Sequence, residues 1–278
     1  KKKNIYKQLT SSGTSQNKKS NIFLDKKNSK KQIDVLIEIV SNFLSTKKRL
    51  PMLVLDSRTI IKNKNSLTAR GVGFMGFSIF GKGITFAFKE NMEIDWNAVL
   101  EFSNKYKNQD VLVFGLTSVI WKNFLEVALK LKKKISLNKS ILIHGGGWKK
   151  LSEQNIGNEI FKKSYYKIFG SKLIHNYYGM IEQTGSIFME CEYGYFHTSV
   201  YSEIYVRDNN FKLLKNGKKG IIQILSLLPT SYPGHNILSE DIGIICGEDT
   251  CKCGRLGKYF KISGRVKQAE IRGCSDAV

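Results

Sequence analysis

The alternation of short apolar runs with segments of helical periodicity is the feature that most constrains the fold of this chain. Three apolar runs have the length of buried strands, at 52–55, 111–114 and 141–143, and the segment 172–176 is also predicted as a strand. Apolar positions repeat at the helical period in four other segments, at 30–43, 96–106, 118–131 and 153–169. Strands that alternate with helices predict an α/β fold with a large, mainly parallel sheet flanked by helices.

The second part of the chain has a different character. Four strand-like segments follow one another with short turns between them, at 186–191, 196–206, 220–227 and 242–246. This pattern predicts a smaller β-rich subdomain. We therefore expect three regions, an α/β region at 1–185, a β-rich subdomain at 186–263, and a hinge with a C-terminal tail at 264–278.

The strongly basic composition raises the question of nucleic-acid binding. The chain has 278 residues, 45 of them Lys or Arg and 23 Asp or Glu, which gives a formal net charge of +22. Arginines are few, however, and the lysines are scattered rather than gathered into one basic stripe. We interpret the charge as a solvated surface that helps to attract anionic ligands and acidic protein partners, and we expect no nucleic-acid partner.

Targeting features point to a cytoplasmic protein. No apolar run approaches the ~20 residues that span a bilayer, so we expect no membrane span, and no secretory signal is visible at the start. Five cysteines without such a signal indicate reduced thiols. Because the first residue is not Met, we expect an N-terminally incomplete or processed sequence.

A hydroxyl-rich segment near the start is a candidate phosphate-binding loop. Hydroxyl groups and backbone N–H groups donate hydrogen bonds to phosphate oxygens, glycine permits close backbone approach, and lysine adds positive charge. The candidate residues are Thr10, Ser11, Ser12, Gly13, Thr14 and Lys18. The alternative is an exposed Ser/Thr linker.

Two further loops follow predicted strands, where ligands of parallel sheets gather. In His144–Lys149, the glycines Gly145, Gly146 and Gly147 would let a flat ring lie against bare backbone. In the other loop, Tyr178 and Gly179 precede the carboxylate of Glu182. The alternatives are a glycine-rich turn and a surface glutamate.

Three cysteines lie close together in the β-rich part, Cys246, Cys251 and Cys253. Three thiolates suit zinc, and Cys191, His197 or His235 could complete a four-ligand site. A turn with reduced thiols is an equal alternative.

The order of these motifs resembles that of adenylate-forming enzymes. In particular, HGGGWK at 144–149 and the GRVKQAEIRGCSD ending at 264–276 are similar to the bacterial luminescence acyl-protein synthetases (LuxE type). The resemblance extends from Leu9 to Asp276. It implies the architecture of the adenylate-forming superfamily without a full C-terminal lid, because the chain stops just beyond the hinge.

The resemblance also implies roles for individual residues. It implies that Tyr178 packs on adenine, that Asp241 binds the ribose hydroxyls and that Arg265 contacts the nucleotide. It assigns Glu182 to magnesium and Cys274 to accepting the activated acyl group, a role that suits a thiolate beside Arg272. The cofactors implied are ATP and Mg²⁺, with structural Zn²⁺ left open.

The activity implied is ATP-dependent activation of a carboxylic acid, expected to be a fatty acid, and its transfer to a protein thiol. The partners expected are the acid and an acyl-accepting reductase or carrier protein. One alternative is a CoA ligase of the phenylacetate type, and another is a non-catalytic interaction protein on a degenerate adenylating fold. The apolar segment 71–88 either lines an acyl slot or forms ordinary buried strands.

Overall fold

The computed structural model describes residues 5–10, 21–44, 46–61, 69–146, 148, 151 and 156–266. Its contacts divide the chain into two units. The first contains the described residues up to 44 together with 177–266, and the second contains the described residues within 46–176. The division by sequence character at residues 185 and 263 remains a prediction.

The second unit contains the parallel sheet. Its strands are β3 (Leu50–Ser57), β4 (Gly81–Phe88), β5 (Val111–Leu116), β6 (Ser140–Gly145) and the start of β7 (Leu173–Tyr178). They lie in the order β4-β3-β5-β6-β7. The pairs β3–β4, β3–β5 and β5–β6 are all parallel, so the predicted α/β fold with a parallel sheet is confirmed.

Helices connect these strands. The second unit contains α2 (Ala69–Phe77), α3 (Trp96–Tyr106), α4 (Thr117–Val119), a π-helical segment (Ile120–Leu125), α5 (Glu126–Lys130) and α6 (Asn158–Phe169). Helix α3 has the predicted bounds because Asp95 caps it, accepting a hydrogen bond from the backbone N–H of Ala98 at 3.1 Å. Helix α6 ends at Gly170, which has a left-handed φ of 77°.

The first unit is mostly antiparallel. It contains α1 (Lys26–Leu44) and a two-stranded ribbon of β1 (Lys7–Thr10) and β2 (Asn21–Leu24). Its larger sheet has the order β10-β11-β12-β13-β9-β8, and the last two residues of β7 pair with β8. These strands are β8 (Phe188–Glu190), β9 (Phe196–His197), β10 (Ser202–Arg207), β11 (Lys219–Ser226), β12 (Asn236–Glu248) and β13 (Lys258–Arg265).

The structure differs in detail from the predicted strands and helices. The segment 196–206, predicted as one strand, forms β9 and β10, which pair with different neighbours. The segment 118–131, predicted as one helix, is helical from Thr117 to Lys130, with the π-helical segment Ile120–Leu125 in its middle. Strand β13 was not predicted, because its polar and charged residues hide the alternation of apolar and polar positions that marks a strand. Among the described residues, no helix is both long and apolar enough to cross a membrane.

Candidate active site

Asp241 is held from two sides in the first unit. The Tyr178 hydroxyl donates a hydrogen bond to Asp241 Oδ2 at 2.7 Å, and Arg265 Nε donates one to Asp241 Oδ1 at 2.9 Å. We call these three residues the Asp241 triad. The structure therefore brings together three residues that the sequence predicted to bind the nucleotide.

Strand pairing positions the triad. In the β12–β13 ladder, Asp241 lies directly opposite Arg265, so their side chains meet across the strands. Arg265 Nη1 also lies 3.5 Å from Glu240 Oε2. The Ser239 hydroxyl accepts a hydrogen bond from the Asp241 N–H at 3.1 Å. This bond holds the backbone of Asp241 in place.

Tyr178 is a neutral donor in this arrangement. Burial raises its pKa well above the ordinary value, and the negative charge of Asp241 raises the pKa further. Its ring lies 6.0 Å from the Phe188 ring and 6.2 Å from the Phe196 ring, centre to centre. The phenol therefore keeps its proton at neutral pH and donates a hydrogen bond to the carboxylate.

Gly179, which follows Tyr178, lies close to Ile187. A Cβ atom at Gly179 would come within 3.0 Å of Ile187 Cγ2. A larger residue at this position would therefore require the Ile187 side chain to move by a few tenths of an ångström.

Glu182 lies in a short 3-10 helix, Ile181–Gln183. Gln183 anchors this helix, because its side-chain amide donates hydrogen bonds to the Ile224 and Gly234 carbonyl groups at 3.3 and 2.8 Å. The Glu182 side chain is half-buried, and within the described part of the chain it has no hydrogen bond or ion pair. A carboxylate in this state is available for a cation.

The β1–β2 ribbon brings the start of the predicted phosphate loop to the Glu182 helix. Leu9, Ile22 and Leu24 form an apolar cluster against which Ile181 and Tyr232 pack. Thr10, the last residue of β1, pairs with Asn21, the first residue of β2. Ser11, Ser12, Gly13, Thr14 and Lys18 lie outside the described residues.

The glycine loop at His144–Lys149, predicted to let a flat ring lie against bare backbone, begins in the second unit. Gly145 ends β6, and Gly146 has a left-handed φ of 71°, a conformation that favours glycine. His144 is fully buried, burial lowers its pKa well below the ordinary value, and its Nδ1 lies 2.9 Å from the Thr117 hydroxyl. His144 is therefore a neutral core residue, and Gly147 lies outside the described residues.

The cysteines gather differently from the sequence pattern. Cys191, His197, Cys251 and Cys253 lie together, with all four potential ligand atoms within 4.8 Å of one another. Cys246 is not in this group, and its thiol lies 3.6 Å from the Ile244 carbonyl oxygen. Burial lowers the pKa of His197 to about 4, so its imidazole is neutral at pH 7. Cys274 lies outside the described residues.

Comparison with known proteins places the chain in a family. The family described as "Acyl-protein synthetase, LuxE" matches residues 1–278. The chain belongs to the LuxE family. A curated relative, the long-chain-fatty-acid–luciferin-component ligase of Vibrio harveyi, is 26% identical over 140 residues, which cover 48% of this LuxE-family chain and 35% of the relative.

Solved structures show the same fold. An open conformation of 2-hydroxyisobutyryl-CoA ligase in complex with 2-HIB-AMP and CoA has a TM-score of 0.69 and 16% identity, over 96% of this chain and 59% of that one. ATP-bound MatB from Rhodopseudomonas palustris has a TM-score of 0.60 and 14% identity, over 94% of this chain and 48% of that one. The LuxE-family chain has the fold of adenylate-forming ligases and spans about half the length of these neighbours.

Two residues of this LuxE-family site were missed by sequence reasoning. Ser239 supports Asp241, and Tyr232 packs beside Ile181 with its hydroxyl 3.4 Å from the Gln32 side-chain nitrogen. Ser239 could have been found from the sequence, because a serine two residues before Asp241 is close enough to accept a hydrogen bond from its backbone N–H. Tyr232 lies in a loop of ordinary composition, and nothing in the sequence singles it out.

Proposed function

We propose that this chain activates a carboxylic acid with ATP and passes the acyl group to a protein thiol. In the first step, a carboxylate oxygen attacks the α-phosphorus, the bond to the β-phosphate oxygen breaks, and pyrophosphate leaves. In the second step, a thiolate attacks the acyl carbon and AMP leaves. Both steps depend on positioning and charge stabilisation rather than on a protein acid or base.

The Asp241 triad is the observation that carries this proposal. Each carboxylate oxygen has two acceptor sites, and Tyr178 and Arg265 use one on each oxygen. The remaining sites suit two neighbouring hydroxyl groups, such as those of a ribose. The triad fixes the carboxylate before the nucleotide arrives, which reduces the entropy cost of binding.

The position of Glu182 supports the use of Mg-ATP. The Glu182 helix packs against the β1–β2 ribbon, whose first strand ends at Thr10, the first residue of the predicted phosphate loop. Magnesium is commonly held by one or two protein carboxylates together with nucleotide phosphates. Glu182 would be the protein ligand, and Thr10, Ser11, Ser12, Gly13, Thr14 and Lys18 would bind the phosphates.

The acid is proposed to be a fatty acid. The name of the Vibrio harveyi relative, with its long-chain fatty acid, supports this choice. The segment 71–88 remains the candidate slot, although in the second unit Phe74 packs on Phe86 and Phe77 stacks on Phe114, at 5.3 and 4.8 Å between ring centres. Cys274 is the proposed acyl acceptor, and a reductase or carrier protein is the proposed next recipient.

Labelling with radioactive acid tests the proposal. Incubation with labelled long-chain acid and Mg-ATP should leave hydroxylamine-sensitive label on the wild-type protein and on the control Cys246→Ser. The label should be lost from Cys274→Ser, because a serine hydroxyl is scarcely ionised near neutral pH. Equal labelling of Cys274→Ser would move the acceptor elsewhere, and acyl-CoA formed with added CoA, without protein label, would identify a CoA ligase instead.

A further inference from the structure

The four-residue group Cys191, His197, Cys251 and Cys253, which we call the Cys₃His cluster, is assembled from two hairpins of the first unit. Cys191 follows β8 and His197 lies in β9, while Cys251 and Cys253 lie in the turn between β12 and β13. The Cys253 sulfur lies 3.3 Å from His197 Nε2 and 3.3 Å from the Cys251 sulfur, which lies 4.0 Å from the Cys191 sulfur. Residues sixty positions apart in sequence thus present their ligand atoms to one point.

Both turns have the same local design. In each, a cysteine is followed three residues later by a glycine with a φ of 77°, Gly194 after Cys191 and Gly254 after Cys251. Each turn is closed by a hydrogen bond from the glycine N–H to the cysteine carbonyl, at 2.9 and 3.0 Å. Two unrelated segments therefore fold in the same way around a sulfur atom.

The distances fit a tetrahedral ion. With Zn–S near 2.3 Å and Zn–N near 2.0 Å, ligand atoms of a tetrahedral site are about 3.5–3.8 Å apart. Three of the six ligand-atom distances, 3.3, 3.3 and 4.0 Å, lie around that range, and all six are within 4.8 Å. Three sulfur atoms and one imidazole also select zinc over magnesium or calcium, which prefer oxygen.

We propose that Cys191, His197, Cys251 and Cys253 hold one structural zinc ion. Four protein ligands leave no open position for water or substrate, so the site is structural rather than catalytic. The ion would join the β8–β9 hairpin to the turn of the β12–β13 hairpin. Because β12 and β13 also carry Asp241 and Arg265, the zinc would hold the register of the two strands that form the Asp241 triad.

Metal analysis of the full chain, purified without chelators, tests this site. The wild type should contain about one zinc per chain, and Cys253→Ser should lose most of it together with a lower melting temperature. The matched control is Cys246→Ser, since Cys246 is a half-buried cysteine of the same hairpin outside the cluster. It should retain the zinc. Zinc that is absent from the wild type, or lost equally from both variants, would overturn the proposal.

Cobalt replacement makes the test independent of any variant. Cobalt(II) exchanged into the wild type should give the strong visible bands of a tetrahedral site and sulfur-to-metal charge transfer in the near ultraviolet. Weak octahedral bands would contradict the site. Mass spectrometry that finds a disulfide between Cys191 and Cys251 in the protein as purified would contradict it as well.

Discussion

At the scale of single residues, Asp241 joins three strands through its carboxylate. Tyr178 at the end of β7 and Arg265 at the end of β13 both donate to it, while Ser239 fixes its backbone. Hydrogen bonds to a charged group typically contribute about 1.5–3 kcal/mol each. These hydrogen bonds hold the carboxylate in place, as the proposed binding of ribose requires.

Asp241→Asn should reduce acid-dependent exchange of pyrophosphate into ATP by about 10- to 100-fold, because the amide loses one acceptor oxygen and the charge that pairs with Arg265. The control is Glu248→Gln, which neutralises an exposed acid on the same strand. Exchange assays on both variants check this. Equal rates for Asp241→Asn and wild type would remove Asp241 from the site.

Glu182→Ala should lower the same exchange rate strongly at ordinary magnesium concentration while leaving the fold intact, because the side chain is half-buried and unpaired among the described residues. Circular dichroism checks the fold, and a magnesium titration checks the role. An unchanged rate at every magnesium concentration would exclude Glu182 as the ligand.

At the scale of elements, the sequence predicts the bounds of a helix or strand correctly where the residues of that element alone determine them. The α3 helix has the predicted bounds because a capping aspartate and a helical period coincide there. The break between β9 and β10 was missed because the intervening Thr198, Ser199, Val200 and Tyr201 include no glycine or proline. The cluster partners Cys191 and His197 could not be selected over His235, because only the pairing of β9 with β13 brings them to Cys253.

Gly185 links the Glu182 helix to α1. It has a φ of 87°, and a Cβ there would lie 2.5 Å from the Gln32 carbonyl oxygen. Gly185→Ala should lower the free energy of unfolding by about 1–2 kcal/mol for the left-handed backbone and by ~1–3 kcal/mol more for the clash.

Gly217→Ala is the matched control, because Gly217 has a φ of 82° and open space around its Cβ position. It should show the backbone cost alone. Urea denaturation of the two variants measures the difference, and equal losses would mean that Gly185 does not determine how closely α1 approaches.

At the scale of the whole molecule, the buried tyrosines should make the free energy of unfolding fall as the pH becomes alkaline. Burial raises the pKa of Tyr165, which is fully buried with its hydroxyl 2.9 Å from that of Ser140. In the unfolded chain a tyrosine ionises near pH 10, so above about pH 10 the unfolded state binds fewer protons than the folded one. The free energy of unfolding should then fall by about 1.4 kcal/mol per pH unit for each such tyrosine.

Tyr165→Phe should make that alkaline decline less steep, although it also loses the hydrogen bond to Ser140. Tyr166→Phe, a change at the exposed neighbour in α6, should leave the slope as in the wild type. Denaturant unfolding between pH 9 and roughly 11 measures both slopes. Identical slopes in all three proteins would show that Tyr165 ionises as readily in the folded state as in the unfolded state.

Acid-dependent exchange of labelled pyrophosphate into ATP tests most directly the claim that this chain forms an acyl-adenylate. The wild-type protein with magnesium should show exchange only when a carboxylic acid is added. Across a panel of acids, the rate should rise with chain length, since each buried methylene contributes ~0.8 kcal/mol. Exchange that is absent with every acid, while ATP still binds, would contradict the account and favour a non-catalytic role.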